Sequence, residues 1–231
     1  RCVTSGDPCI CDSDCPENFV CDKGDCVPDS SGPLDCPEGM VAIADAYCMD
    51  IYEASRPDAT ASDMGNDDSR ALSRAGVIPW HHKPIDSGAL QDFDRACRAA
   101  GKRLCQPAEW QHACSGSAGS TYVFGEGFDR ETCNCVDTFC DDYCEDNQIG
   151  DCALGDNCGY TYDCFQVAPT GAFPDCIDEW GVLDLNGNVW EVVPSEQDAR
   201  GFEVRGGAYN CAGASERLKC SFNAGWSALF A

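Results

Sequence analysis

Positive charge is scarce in this chain: 15 Lys and Arg stand against 40 Asp and Glu, for a formal net charge of −25. A surface with so few cations cannot neutralise a phosphate backbone, so nucleic acid is excluded as an expected partner. Histidine is nearly missing, with three residues, His81, His82 and His112. No ladder of C-x-x-C pairs with His is present either, which argues against a reduced zinc protein. His81 and His82 are adjacent after Trp80 and read as surface or rim residues, and a non-haem iron site would need His beside carboxylates. No stretch approaches the ~20 consecutive apolar residues that a membrane-spanning helix requires. Internal repeats, a G-x-G-x-x-G fingerprint, a P-loop and a nucleophile elbow are all absent.

What the chain has in excess is cysteine, 21 in 231 residues. That density belongs to oxidising compartments, where bridges offset the small apolar core of a loop-rich fold. The expected location is secreted, extracellular or periplasmic. The chain begins at Arg1, which is read as a processed N-terminus whose removed leader directed export and could have carried a lipid anchor. The cysteine count is odd, so at least one thiol is expected to be free, paired with another chain or parted from its partner. The acidic excess suits solubility at a cell surface, and it also suits hard divalent cations, which prefer carboxylates and backbone carbonyls.

Two domains are expected. Residues 1–35 carry six cysteines (Cys2, Cys9, Cys11, Cys15, Cys21, Cys26) in 25 positions, with almost nothing apolar between them, and end in the linker-like run PDSSGP. They read as a disulfide knot serving as a spacer or an adhesion unit. Residues 36–231 read as one domain. MVAIADAYCMDIYEAS (40–55) predicts a short strand pair, with Cys36 and Cys48 flanking it as a candidate bridge. The polar run 58–76 predicts a surface loop. Residues 87–105 show apolar positions at helical spacing with Gly101 as a stop, and PAEWQHAC (107–114) predicts a second helix with Pro at its first turn and Trp110 facing inward. Cys133 to Cys164 lacks any period and reads as a long bridged loop. GVLDLNGNVWEVV (181–193) and FEVRGGAYNC (202–211) each predict a strand. Helices early, loops in the middle and strands at the end imply an α+β fold with little regular structure.

LDLNGNVWE places Asp184 and Glu191 around a Gly-Asn turn, so that two carboxylates and the carbonyls of Gly187 and Val189 can converge on one calcium ion. Gly206-Gly207 implies a backbone conformation or a close approach that a Cβ would forbid. Arg205 before them either clamps a carboxylate or forms a structural ion pair.

Three strings carry a resemblance: GKRLCQPAEWQHAC (101–114), GVLDLNGNVWEVV (181–193) and VRGGAYNC (204–211). In order and spacing they are similar to the formylglycine-generating enzyme, or sulfatase-modifying factor, family, whose fold is a variant of the C-type lectin fold. The start at MVAIADAYCMDIYEAS is similar as well, and the resemblance covers about residues 36–231. It implies the same four calcium positions. It also implies a second calcium site on Asn134, the carbonyl of Cys135, Asp163 and the carbonyl of Phe165. It further implies a bridge between Cys114 and Cys220, and for Cys97 a partner in a final segment that this chain does not contain; a rearranged Cys97–Cys211 bridge is the alternative.

In active members of that family two cysteines bind Cu(I), and a substrate Cys in a C-x-P-x-R peptide becomes formylglycine. Two soft thiolates favour Cu(I) over harder ions. The first of the pair matches Cys211, but the position of the second is Glu216, and a Ser of the preceding run is Ala208. The expectation is therefore a calcium-stabilised, secreted or surface module without catalysis. Its partner is expected to be a protein or a glycan, within a surface assembly. The alternative is the copper-dependent oxidase.

Overall fold

The computed structural model describes residues 19–22, 25–28, 33–81, 89–150, 157–195 and 201–224. Within the Cys-rich start it shows one hairpin, β1 (Phe19–Asp22) against β2 (Asp25–Pro28), with Cys21 opposite Cys26. Cys2, Cys9, Cys11 and Cys15 lie outside the described residues.

The alternating segment 40–50 forms the expected antiparallel pair, β3 (Met40–Ile43) with β4 (Tyr47–Asp50). Ala44 and Asp45 turn the chain with φ of 49° and 54°, both in the left-handed region that tight hairpin turns use. The pleat sends Ile43 and Met49 inward. Cys36 and Cys48 are bridged, with Cα atoms 5.6 Å apart. A two-residue strand, β5 (Ala54–Ser55), pairs with β6 (Leu72–Ser73). The polar run between them is largely exposed, as expected of a surface loop, yet Ala59, Gly65 and Ala71 are buried in it.

Helix α1 (Ala89–Ala99) presents Ala96 to the interior and carries the ion pairs Arg95–Asp92 and Arg98–Asp94 on its outer face. Such exposed pairs add at most ~1 kcal/mol each. Gly101 follows with φ 75° and ends it. Helix α2 (Pro107–Ser115) starts where Pro fixes the first turn, and the Glu109 carboxylate reaches back to the Gln106 N–H at 2.8 Å. Its inner face carries Trp110, Ala113 and Cys114.

The segment 133–164 departs from the expectation of an irregular loop. It contains α3 (Cys140–Asp146) and α4 (Cys158–Tyr162), joined by a Cys140–Cys158 bridge. Neither helix has an apolar stripe. Asp137 holds the start of α4 by accepting from the N–H groups of Asn157 and Gly159, and covalent and side-chain anchoring replace apolar periodicity. Helices therefore run through the middle of the chain, and α5 (Ala214–Arg217) near its end, rather than clustering early. The last strands, β7 (Glu191–Pro194) and β8 (Phe202–Arg205), form an antiparallel pair. All strand pairing among the described residues is antiparallel and two-stranded, so the architecture mixes α and β in short pieces.

Two apolar clusters make the core. One gathers Ile43, Met49, Trp110, Leu185 and Val193 around the Cys114–Cys220 bridge. The other gathers Tyr122, Val136 and Leu218 around Cys133–Cys176, with Cys135 and Cys211 in it. The run 184–189 touches both: Asn186 accepts from the Val123 N–H at 2.8 Å and its amide donates to Cys114 Sγ at 3.2 Å. Asp184, Gly187 and Asn188 all have positive φ, at 63°, 83° and 47°. A Cβ on Gly187 would lie 2.2 Å from the carbonyl oxygen of Asn134, and one on Gly206 would lie 2.6 Å from that of Leu185. Only glycine fits either place.

Candidate functional site

The strained turn 184–189 is buried among polar groups. Asp184, 2 % exposed, accepts from the Gly171 N–H at 2.7 Å. Glu53, 4 % exposed, accepts from the Val189 N–H at 2.9 Å and from the Asn188 side-chain amide at 2.6 Å. Glu191, at the start of β7, accepts from the indole N–H of Trp110. Three carboxylates are thus close enough to act on one another, and among the described residues none forms an ion pair with Lys or Arg. Burial pushes the Asp184 carboxyl up to about 6 and the Glu191 carboxyl up to about 8, with Asp184 adding to the latter. The Glu53 carboxyl rises well above the usual range for the same reasons, burial first and then Asp184 and Glu191.

Such a cluster either stays partly protonated or takes a cation. The carboxylates are hard oxygen ligands of the kind calcium prefers. Ligand oxygens of one calcium lie at most about twice the 2.3–2.6 Å bond length apart. Among the described residues, one set of three acidic, Cys or His ligand atoms lies within 4.8 Å of one another, and it is Asp137, Cys140 and Cys158. Glu53, Asp184 and Glu191 do not form such a set. Glu53 is instead used on the turn itself, through Val189 and Asn188.

The residues of the second expected calcium site are less uniformly gathered. Asn134, 1 % exposed, donates its side-chain amide to the Gln166 carbonyl and to Asn188 Oδ1, while its own Oδ1 is buried with no partner. An orphaned carbonyl-type oxygen in that position fits a cation. The Cys135 carbonyl accepts from the Thr138 N–H, and Phe165 packs against Tyr160 and Tyr209. Asp163 is exposed at the end of α4, with φ 54°.

Beside the first cluster lies a cavity of about 950 Å³ lined by Trp80, His81, Trp190, Tyr209, Cys211 and Arg217. His81 is half-buried on its wall, and His82 lies outside the described residues. Cys211 is 3 % exposed and unbridged, and its sulfur accepts from the Ala208 N–H at 3.3 Å. Burial pushes its thiol up to about 11. Glu216 is exposed on α5 and pairs with Lys219. Cys220 is held in the bridge to Cys114 and offers no thiolate. The pair of positions that would hold Cu(I) thus presents one buried thiol and one exposed carboxylate, which does not fit a two-thiolate site. Cys97 is unbridged too, so the rearranged Cys97–Cys211 bridge is not formed. Arg205 forms a buried ion pair with Glu203 and stacks over Trp110, which settles its role as structural.

Sequence reasoning passed over Glu53, Asn186 and Asn188. Glu53 stood inside the quoted IYEAS string, and a carboxylate at the end of a strand was the available signal. Its partners lie 135 and 136 residues away, beyond the reach of local pattern.

Residues 37–228 match the family model described as the sulfatase-modifying factor enzyme 1-like domain. A protein of Mycobacterium tuberculosis named formylglycine-generating enzyme is 29 % identical over 166 residues, which cover 70 % of this chain and 49 % of that protein. The chain spans about half the length of this curated relative.

Proposed function

From the premise that this chain belongs to the sulfatase-modifying factor enzyme 1-like family, we propose that it is a calcium-stabilised, disulfide-rich binding or structural module that has lost the family's oxidase chemistry. The observation that carries this reading is the state of the copper positions. Cys211 is a lone buried thiol, Glu216 points to solvent, and Cys220 is tied to Cys114. A carboxylate is a hard ligand and a poor host for Cu(I). The missing hydroxyl at Ala208 removes a hydrogen-bond donor from the same place.

Calcium is proposed at two sites. The first uses Asp184, Glu191 and the carbonyls of Gly187 and Val189, and the buried acidic cluster supports it. The second uses Asn134, Cys135, Asp163 and Phe165, and the orphaned Asn134 Oδ1 supports it. The cavity at Trp190, Tyr209 and Cys211 is then the recognition surface for a protein or glycan ligand. The lectin-like core and a location in an oxidising compartment belong to the same proposal, and the cysteine density supports the location.

A second reading keeps the oxidase, because the relative's name, formylglycine-generating enzyme, favours it and Cys211 still lines the cavity as a free thiol. Incubating the protein with Cu(I), oxygen and a C-x-P-x-R peptide separates the two. No aldehyde mass is expected; stoichiometric aldehyde would overturn the non-catalytic reading.

A further inference from the structure

Away from the calcium cluster, three cysteines meet where α3 packs on α4. Cys140 is bridged to Cys158, and the free thiol of Cys164 lies 3.8 Å from Cys140 Sγ. Cys140 and Cys158 are buried, while Cys164 keeps partial exposure just after α4. We propose that Cys140, Cys158 and Cys164 form a thiol–disulfide exchange centre in which the bridge moves between Cys140–Cys158 and Cys140–Cys164.

The chemistry balances without an external oxidant. Cys164 gives its proton to solvent, and its thiolate attacks Cys140 Sγ. A Cys140–Cys164 bond forms as the Cys140–Cys158 bond breaks, and Cys158 leaves as a thiolate that takes a proton back. The attacking sulfur is already in van der Waals contact with its target. The two bridges close loops of 18 and 24 residues, and loop entropy varies so slowly with length that it hardly separates them. Native contacts decide the balance. Exchange needs the thiolate, so it runs faster in mild alkali than at neutral pH.

Exchange would reach the cavity. Helix α4 holds the 210–213 segment through Tyr160, whose hydroxyl donates to the Asn210 carbonyl. Asn157, which precedes the helix, accepts from the Gly213 N–H at 2.8 Å. Releasing Cys158 loosens the anchor of the helix that carries these contacts, and Cys211 lies between Asn210 and Gly213. The proposal does not depend on catalysis, and because Cys164 lies between Asp163 and Phe165 exchange would move the segment that carries the second proposed calcium site.

The test uses the full chain, unreduced. One sample is alkylated at once in acid; another is held in mild alkali before quenching. Chymotryptic cuts after Tyr160 and Tyr162 separate Cys158 from Cys164, and mass spectrometry assigns the partner of Cys140. The expected result is loss of the Cys140–Cys158 peptide on alkaline incubation, matched by gain of Cys140–Cys164 and of alkylated Cys158. In the Cys158→Ser variant, Cys140 should be bridged to Cys164. An unchanged Cys140–Cys158 assignment after alkali, or free Cys140 and Cys164 in folded Cys158→Ser, would overturn the proposal.

Discussion

At the scale of single residues, the proposed calcium would compete with protons for the same oxygens. In the calcium-free protein Asp184 and Glu191 hold protons more tightly folded than unfolded, with values of about 6 and about 8 against 3.8 and 4.5. Their contribution to stability is therefore present below the unfolded values and is lost as pH rises through the folded ones. The calcium-free protein should lose melting temperature between about pH 4 and pH 8 at these two groups, and calcium should cancel that loss. Glu191→Gln separates the two effects by sign. Without calcium at pH 8 the variant should melt above the native chain, because it buries no charge; with calcium it should melt below, having lost a ligand. Thermal melts of both proteins with calcium and with chelator check this. If calcium and chelator shift the melting temperatures of the two proteins alike, Glu191 has no calcium role. For Asp184→Ala, most of the calcium-dependent part of the melting shift should disappear.

At the scale of elements, the turn 184–189 holds the site by burying glycine where nothing larger fits. Gly187→Ala places a methyl 2.2 Å from the Asn134 carbonyl at a φ of 83°. The backbone must move, and a loss of roughly 1–3 kcal/mol in denaturant unfolding is expected, with weaker calcium stabilisation alongside it. Helix α2 carries the other anchor: Trp110 is 2 % exposed and donates to Glu191. Trp110→Ala should cost ~3–5 kcal/mol through the cavity it leaves, and it strips Glu191 of its hydrogen bond. Elements of this kind were legible in the sequence. Apolar spacing around Phe93 and Ala96, and Pro107 at a first turn, have local physical causes. Helices α3 and α4 were not legible, because Asp137 and a Cys140–Cys158 bridge hold them where no apolar face does. Glu53 was missed for a related reason: its worth depends on a turn more than 130 residues away.

At the scale of the whole molecule, bridges substitute for regular structure. Cys114–Cys220 closes 106 residues, which in the chain-entropy account stabilises by about 4–5 kcal/mol. Both its sulfurs are buried in the first core cluster. Residues 1–35 have six cysteines and little apolar mass, so partial reduction should expose their thiols to alkylation before those of Cys114 and Cys220. The reverse order, read by mass spectrometry, would mean that the core around Trp110 is the weaker part. The acidic turn and Cys211 sit within contiguous family strings of the sequence, whereas Asn134 lies outside those strings and is implied only by the family resemblance. The strings did not give the cavity's far walls or the α3–α4 cysteines, which only three-dimensional packing assembles. For the calcium sites, mass action gives about 2.7 kcal/mol at a hundredfold excess over Kd, so chelation should lower the melting temperature by about 5–10 °C in a domain of this size.

By the function proposed above, this chain keeps calcium and has given up copper. Native mass spectrometry after brief exposure to Ca²⁺ and Cu(I) together, followed by alkylation of the unfolded protein, tests both halves at once. The expected result is calcium adducts that Asp184→Ala diminishes, no retained copper, and Cys211 fully alkylated. One copper per chain, with Cys211 protected from alkylation, would contradict it.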